Sequence, residues 1–249
     1  LGSEHVDNVG SLQGQIAVVT GASSGIGRAI ALALSQKAVE VCAVGRNPET
    51  LAETVEFARP RSNVTAFQMD LTGKDAIRPL VEHLAKVSKG LHILVHCAGI
   101  YYQDSMEKAR IEDFDSLYAT NVRAPYLLTQ SLLPMLSQVK GQIVFMNSSA
   151  GLTAKRPEIG PYGATKHALR AIAESVREEV NPKGIRVLSL YLGRTATPMQ
   201  EALYRLERKE YHPDTLIQAE DVASVVIQML MLPATAEVTD LSMRPMRKS

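Results

Sequence analysis

The chain has 249 residues, 45% of them hydrophobic, and its 27 Lys and Arg against 26 Asp and Glu leave a formal net charge of +1. That length and apolar share let one α/β domain bury a full core, and the charge balance favours neither nucleic acid nor an anionic membrane as partner. Cys42 and Cys97 stand in apolar runs without metal-ligand spacing, no His/Cys/Asp/Glu cluster suggests a metal, and no stretch reaches the roughly 18 apolar residues of a membrane span, so a reducing, cytoplasmic setting is expected.

Residues 1–14 are polar with Gly and Ser, and read as a flexible leader to a single domain over residues 15–249. Gln15–Thr20 predicts the first strand, a glycine turn follows, and a helix is expected near Gly25–Gln36. Val39–Val44 and Val64–Met69 predict strands two and three, with a helical stretch at Pro48–Ala58 between them. Lys74–Ser88 has helical periodicity and Leu91–His96 reads as strand four. Glu112–Gln138 predicts a long helix that bends near Pro125, because a proline ring cannot sit in an unperturbed helix interior. Gln142–Asn147 is strand five, Tyr162–Val180 a helix and Ile185–Tyr191 strand six. A small helix at Met199–Lys209, a full one at Glu220–Leu232 and a short last strand at Glu237–Leu241 complete the chain. Near-continuous apolar strands alternating with helices imply a doubly wound α/β domain, with a mostly parallel seven-stranded sheet covered on both faces.

The first strand runs into Thr20-Gly21-Ala22-Ser23-Ser24-Gly25-Ile26-Gly27 and directly on to a helix. In such a turn Gly21 permits a tight reversal, Gly25 lets a pyrophosphate approach the main chain, and Gly27 allows close helix–strand packing. The helix N-terminus then presents free N–H groups and its positive dipole end to the phosphates. The spacing Gly-x-x-x-Gly-x-Gly resembles that of the short-chain dehydrogenase/reductase family, and other segments follow in that family's order. Tyr162-Gly163-Ala164-Thr165-Lys166 matches its Tyr-x-x-x-Lys element, Asn121 its helix-bending asparagine, Gly141–Ser149 its serine strand, and Leu192–Pro198 its Pro-Gly-x-x-x-Thr segment. The resemblance spans roughly Gln15 to Leu241 and implies a Rossmann-type fold, a nicotinamide cofactor and a homo-oligomer. The Tyr162–Val180 and Glu112–Gln138 helices are its expected contact surfaces.

Tyr162 and Lys166 stand four residues apart on one predicted helix, so both reach a single ligand. A phenol's ordinary pKa of about 10 is too high for proton exchange near neutrality, and the Lys166 ammonium together with an oxidised cofactor's positive ring is expected to lower it. Tyr162 then gives a proton to a carbonyl oxygen, or takes one from an alcohol. The resemblance assigns Lys166 a hold on the nicotinamide ribose, Asn121 a water linking Lys166 to solvent, and a serine the hydrogen bond to the substrate oxygen. Counting forward from Gly141 selects Ser148 for that role, while counting back from Tyr162 selects Ser149; Ser148 is preferred, because the loop before Tyr162 absorbs an extra residue more easily.

At the end of strand two the acidic position of NAD-selective sites is occupied by Gly45, and Arg46 follows. A guanidinium grips a phosphate with parallel hydrogen bonds, so NADP(H) is the expected cofactor, with Ser23 and Ser24 as further donors. The resemblance adds cofactor contacts from Ile26, Asp70, Leu71, Ala98, Gly99, Gly193, Thr195 and Thr197. His96 stands where the family has an amide and Leu192 where it has a proline; a hydrogen-bonded structural role is the preferred reading of His96, with a place in the cofactor loop, among whose contacts it is counted, as the other. The expected activity is the interconversion of a small ketone or aldehyde and an alcohol. A sensor or interaction protein that kept the fold without turnover is the alternative, and a dehydratase or epimerase a third.

Overall fold

In the computed structural model, residues 10–59, 64–73 and 75–247 are described. Ile16–Thr20 (β1) is apolar and buried along its whole length, as a strand covered on both faces must be. Its side chains alternate: Ala17 and Val19 enter one core cluster, Ile16 and Val18 the other. The helix Gly25–Gln36 (α1), the strand Glu40–Gly45 (β2), the helix Pro48–Phe57 (α2) and the strand Val64–Gln68 (β3) follow in turn. Next come Arg78–Val87 (α3), Ile93–His96 (β4), Ile111–Tyr118 (α4), Ala124–Val139 (α5), Gln142–Ser148 (β5) and Gly160–Val180 (α6). Arg186–Leu192 (β6), Pro198–Leu206 (α7), Ala219–Leu230 (α8) and Asp240–Met243 (β7) end the order.

The seven strands form one parallel sheet in the order β3-β2-β1-β4-β5-β6-β7. Helices α1 and α8 close one face around Ile30, Leu34, Val222 and Val226; α3, α5 and α6 close the other around Leu80, Leu84, Leu128, Leu132 and Leu169. The order reverses between β1 and β4, and a doubly wound sheet binds its ligand at the strand ends beside that switch.

Three boundaries depart from the sequence expectation. The long helix is divided by a π-helical turn at Ala119–Arg123, immediately before Pro125 at the start of α5; a proline has no N–H for the i−4 carbonyl, so the ladder widens there. Strand β7 begins at Asp240, later than Glu237, because Glu237 accepts from the Val187 N–H through its side chain and the ladder opens only where Ser189 N–H meets the Thr239 carbonyl. Of the expected leader, residues 1–9 lie outside the described residues, while Leu12 is 3% exposed and packs into the core beside α8. Lys74, the expected start of α3, also lies outside them.

Candidate active site

The C-terminal ends of β1, β4, β5 and β6 and the N-terminal turns of α1 and α6 surround two cavities, of about 380 and about 350 Å³. The two share Ile26, Cys97, Gly99, Thr197 and Met199 as walls and so lie side by side.

The smaller follows the glycine turn. Gly21 has φ +67, and a Cβ there would stand 2.8 Å from the Ala98 nitrogen, so only glycine lets β1 turn against the chain leaving β4. A Cβ on Gly27 would fall onto the Gly21 carbonyl, which is the close helix–strand packing read from the sequence. Thr20 fixes the other wall: its hydroxyl donates to the Val95 carbonyl and accepts from the N–H groups of Cys97 and Ala98, both at 3.1 Å. Ser23, Ser24, Gly25, Gly45, Arg46, Asp70, Leu71, Ala98 and Gly99 all line this cavity. Of the nearby cations, Arg28 is spent on the fold, bonding the Ser23 and Thr50 carbonyls and Glu53, whereas Arg46 is exposed along the wall. The buried Ser23 hydroxyl has no hydrogen-bond partner and sits against Gly45, where any side chain would collide with it. The Thr72 N–H and hydroxyl, with a smaller contribution from the Arg46 charge, hold the Asp70 carboxyl below its usual range.

The larger cavity holds Tyr162, Lys166 and both serines. Tyr162 and Lys166 leave one face of α6, with the Lys166 ammonium 5.7 Å above the centre of the tyrosine ring. Asn147 ties that helix to β5, donating to the Lys166 carbonyl at 3.1 Å and accepting from the Ser148 N–H at 2.8 Å. The Lys166 ammonium donates to the Met146 carbonyl at 3.3 Å. Both serines line the cavity: Ser148 is half-buried, accepts from the Ala150 N–H at 3.2 Å and pulls the Tyr162 phenol's pKa down, while Ser149 is exposed at the start of a short helical turn. Asn121, inside the π turn, accepts from Ile100 N–H at 2.9 Å and donates to the Ile100 carbonyl and to Thr165. It thereby pins the 99–101 segment against α6. Thr195 and Gly193 line the larger cavity, and Thr197 caps α7 between the two.

Burial pushes the Tyr162 phenol up to about 12, with Ser148 pulling the other way. Burial also holds Lys166 down to about 8, still above neutrality, so its ammonium keeps its charge beside the phenol. One expected cofactor contact is corrected. His96 is not brought to the cavities. Two residues on from Leu94 in β4, it shares that residue's face toward α5, bonds the Thr129 hydroxyl at 2.8 Å and stacks on Phe145 at 4.8 Å. Burial drives its pKa down to about 3, leaving a neutral structural imidazole.

Thr20, Asn147 and Thr165 were not singled out in the sequence. Thr20 and Asn147 each flank a motif that was read, and only their backbone bonds across the fold reveal what they position.

The model of the family described as short chain dehydrogenase matches residues 15–208. An uncharacterized oxidoreductase of Staphylococcus epidermidis is 30% identical over 234 residues, covering 93% of this chain and 97% of its own length. One from Staphylococcus aureus is 29% identical over 94% of this chain and 98% of its own. Among solved structures, a metagenomic short-chain oxidoreductase in complex with NADP superposes with a TM-score of 0.82 at 27% identity, covering 96% of this chain and 100% of that one. The closed form of a serine dehydrogenase complexed with NADP+ does so at 0.83 and 26%, covering 94% and 96%.

Proposed function

The chain belongs to the short chain dehydrogenase family, and on that premise we propose that it is an NADP(H)-dependent oxidoreductase interconverting a ketone or aldehyde and an alcohol, with Tyr162 as general acid and base. The observation that carries the reading is the buried Tyr162 phenol, beside Ser148 and Lys166, in a cavity that shares its walls with the glycine-turn cavity.

The residues present fit such a cofactor. The Gly21–Gly27 turn, with Ser23, Ser24 and Ile26, would hold the pyrophosphate; Arg46 and the unpartnered Ser23 hydroxyl would take an adenosine 2′-phosphate; Asp70 and Leu71 would meet the adenine. Ala98, Gly99 and Lys166 would meet the nicotinamide ribose, with Gly193, Thr195 and Thr197 across from them. When bound, the nicotinamide supplies or accepts the hydride. The neighbours solved with NADP support the choice of the phosphorylated form.

The chain's own contribution is orientation and proton handling. A phenol pushed up to about 12 keeps its proton at neutral pH, which suits a donor to a carbonyl oxygen. The Ser148 hydroxyl stands beside that proton and would share the substrate oxygen with it. The reverse reaction needs the phenolate, which the Lys166 ammonium favours. Asn121 acts by holding the 99–101 segment and Thr165 in place.

The apolar Ile111, Phe114, Tyr118 and Tyr126, exposed along α4 and α5, support a homo-oligomer through that face. Among the described residues no helix is long and apolar enough to cross a membrane, and a cytoplasmic location is part of the proposal. The test is loss of NADPH absorbance with a panel of ketones and aldehydes. Carbonyl-dependent oxidation is expected; a protein that binds NADPH tightly and oxidises it with no carbonyl compound would instead be a sensor.

A further inference from the structure

Beyond Lys166, the reaction cavity is lined by Lys155, Arg156 and Arg194, and no Asp or Glu is among its lining residues. Lys155 and Arg156 lie in the segment between β5 and α6, the two elements that supply Ser148 and Tyr162. Glu207, just past the end of α7, stands behind this rim with its side chain 8% exposed. Its carboxylate accepts from Arg194 through both oxygens at 2.9 and 3.1 Å, from Arg156 at 3.0 Å, and pairs with Lys209 at 2.8 Å. Arg194 is further stacked over the Tyr204 ring at 4.7 Å. One carboxylate thus answers three cations, and Lys155 adds a fourth that has no partner among the described residues. Of the other nearby acids, Glu201 is paired with Arg205, and Glu158 accepts from the neutral Gln103 amide and keeps its charge, so the four cations face two carboxylates, Glu207 and Glu158.

The excess positive charge is close to the chemistry. Tyr101 feels the charges of Arg156 and Arg194 as well as those of Glu207 and Glu158, and its ring packs 4.6 Å from that of Tyr162. Arg156 spends one terminal nitrogen on Glu207, and its side chain is still 49% exposed, which leaves other donors of its planar fork open. A cleft lined by one sign of charge draws the opposite sign toward it, and a guanidinium held from behind by a buried carboxylate is oriented in advance.

We infer that the substrate carries a carboxylate, bound by Lys155 and Arg156 at the mouth of the reaction cavity, so that the enzyme acts on small oxo and hydroxy acids. This rests on the carbonyl–alcohol reading of the site. Arg194 and Glu207 are the frame: Glu207 holds Arg156 toward the cavity and Arg194 against Tyr204.

The test compares a chain-length series of straight-chain oxo acids with their methyl esters, on the NADPH-loaded enzyme for kcat/KM and on the NADP+-loaded enzyme by titration calorimetry. The best acid is expected to exceed its own ester by about ten- to a hundredfold in both, the range of a charge-assisted pair. In Arg156→Gln and Lys155→Gln that ratio falls toward one, and in wild type it shrinks as salt is added. Esters reduced as well as acids, or a ratio unmoved in both variants, would overturn the carboxylate site while leaving the reductase reading intact. Arg156-dependent binding of acids without any turnover would keep the anion site and sink the reductase reading. Acids that bind no more tightly than esters at any chain length would remove the site outright.

Discussion

Arg46→Ala is expected to weaken NADPH binding while leaving NADH binding nearly unchanged. In the structure Arg46 is exposed on the wall of the glycine-turn cavity, next to Gly45 and the unpartnered Ser23 hydroxyl, and Asp70 is its acidic neighbour. A charge-assisted hydrogen bond is worth about 1.5–3 kcal/mol, and exposure with a competing carboxylate places Arg46 at the low end, roughly tenfold in affinity. Gly45→Asp should go further. A side chain at that position must displace the Ser23 hydroxyl, because a Cβ there would collide with it. It also sets a carboxylate beside the phosphate: about 0.8 kcal/mol per pair of unit charges at roughly 5 Å in a water-like dielectric, about doubled for a phosphate near −2. The sum, roughly 2 kcal/mol, is about thirtyfold against NADPH, and the new carboxylate can accept from ribose hydroxyls and favour NADH. Calorimetric dissociation constants for both cofactors, at low and moderate salt, measure this directly. Equal wild-type affinities for NADPH and NADH, or an Arg46→Ala protein with undiminished NADPH preference, would refute the reasoning.

Ser148→Ala should lower kcat strongly and Ser149→Ala only mildly, since Ser148 stands beside the phenol while Ser149 is exposed; the reverse order in steady-state rates would reassign the serine. Gly27→Ala should cost about 2–3 kcal/mol, seen as a Tm lowered by roughly 5–10 °C, because its methyl meets the Gly21 backbone carbonyl, which cannot rotate aside; an unchanged Tm would contradict the packing. Burial raises the Glu207 carboxyl, but the hydrogen bonds and charges of Lys209 and Arg194 outweigh it and hold the group down to about 2, against an ordinary 4.5. A carboxyl depressed in the folded state adds stability that is present above about pH 4.5 and is lost as pH falls toward 2, so Glu207→Gln should flatten the acid limb of stability against pH; an unchanged limb would argue against the cluster.

What was legible in the sequence followed from period and glycine. The apolar runs of β1, β4 and β5 can only be strands covered on both faces, and Gly21, Gly25 and Gly27 can only serve a turn that needs no side chains. Tyr162 and Lys166 are legible as a pair because they stand four apart on one helix, Ser148 through the family resemblance, and the break before α5 through Pro125. Features made by distant partners are not legible: the start of β7 depends on Glu237 reaching Val187, and the 99–101 segment on how Asn121 clasps Ile100 and Thr165. The burial that raises the Tyr162 pKa is not legible in the sequence, whereas a neighbouring lysine is. The structural role of His96 is legible, since it lies two residues from Leu94 on one strand and so shares its face toward α5. The Glu207 cluster joins residues 13 and 51 positions away and left no local pattern to find.

The most direct measurement pairs NADPH affinity with turnover in Tyr162→Phe. Removing the hydroxyl keeps the ring's packing against Tyr101 and beneath Lys166 but deletes the proton donor. NADPH should bind within about twofold of wild type while kcat for carbonyl reduction falls by about 10² or more, the usual share of general acid catalysis. A phenylalanine variant that binds NADPH normally and keeps more than about a tenth of the wild-type rate would mean that Tyr162 is not the proton donor.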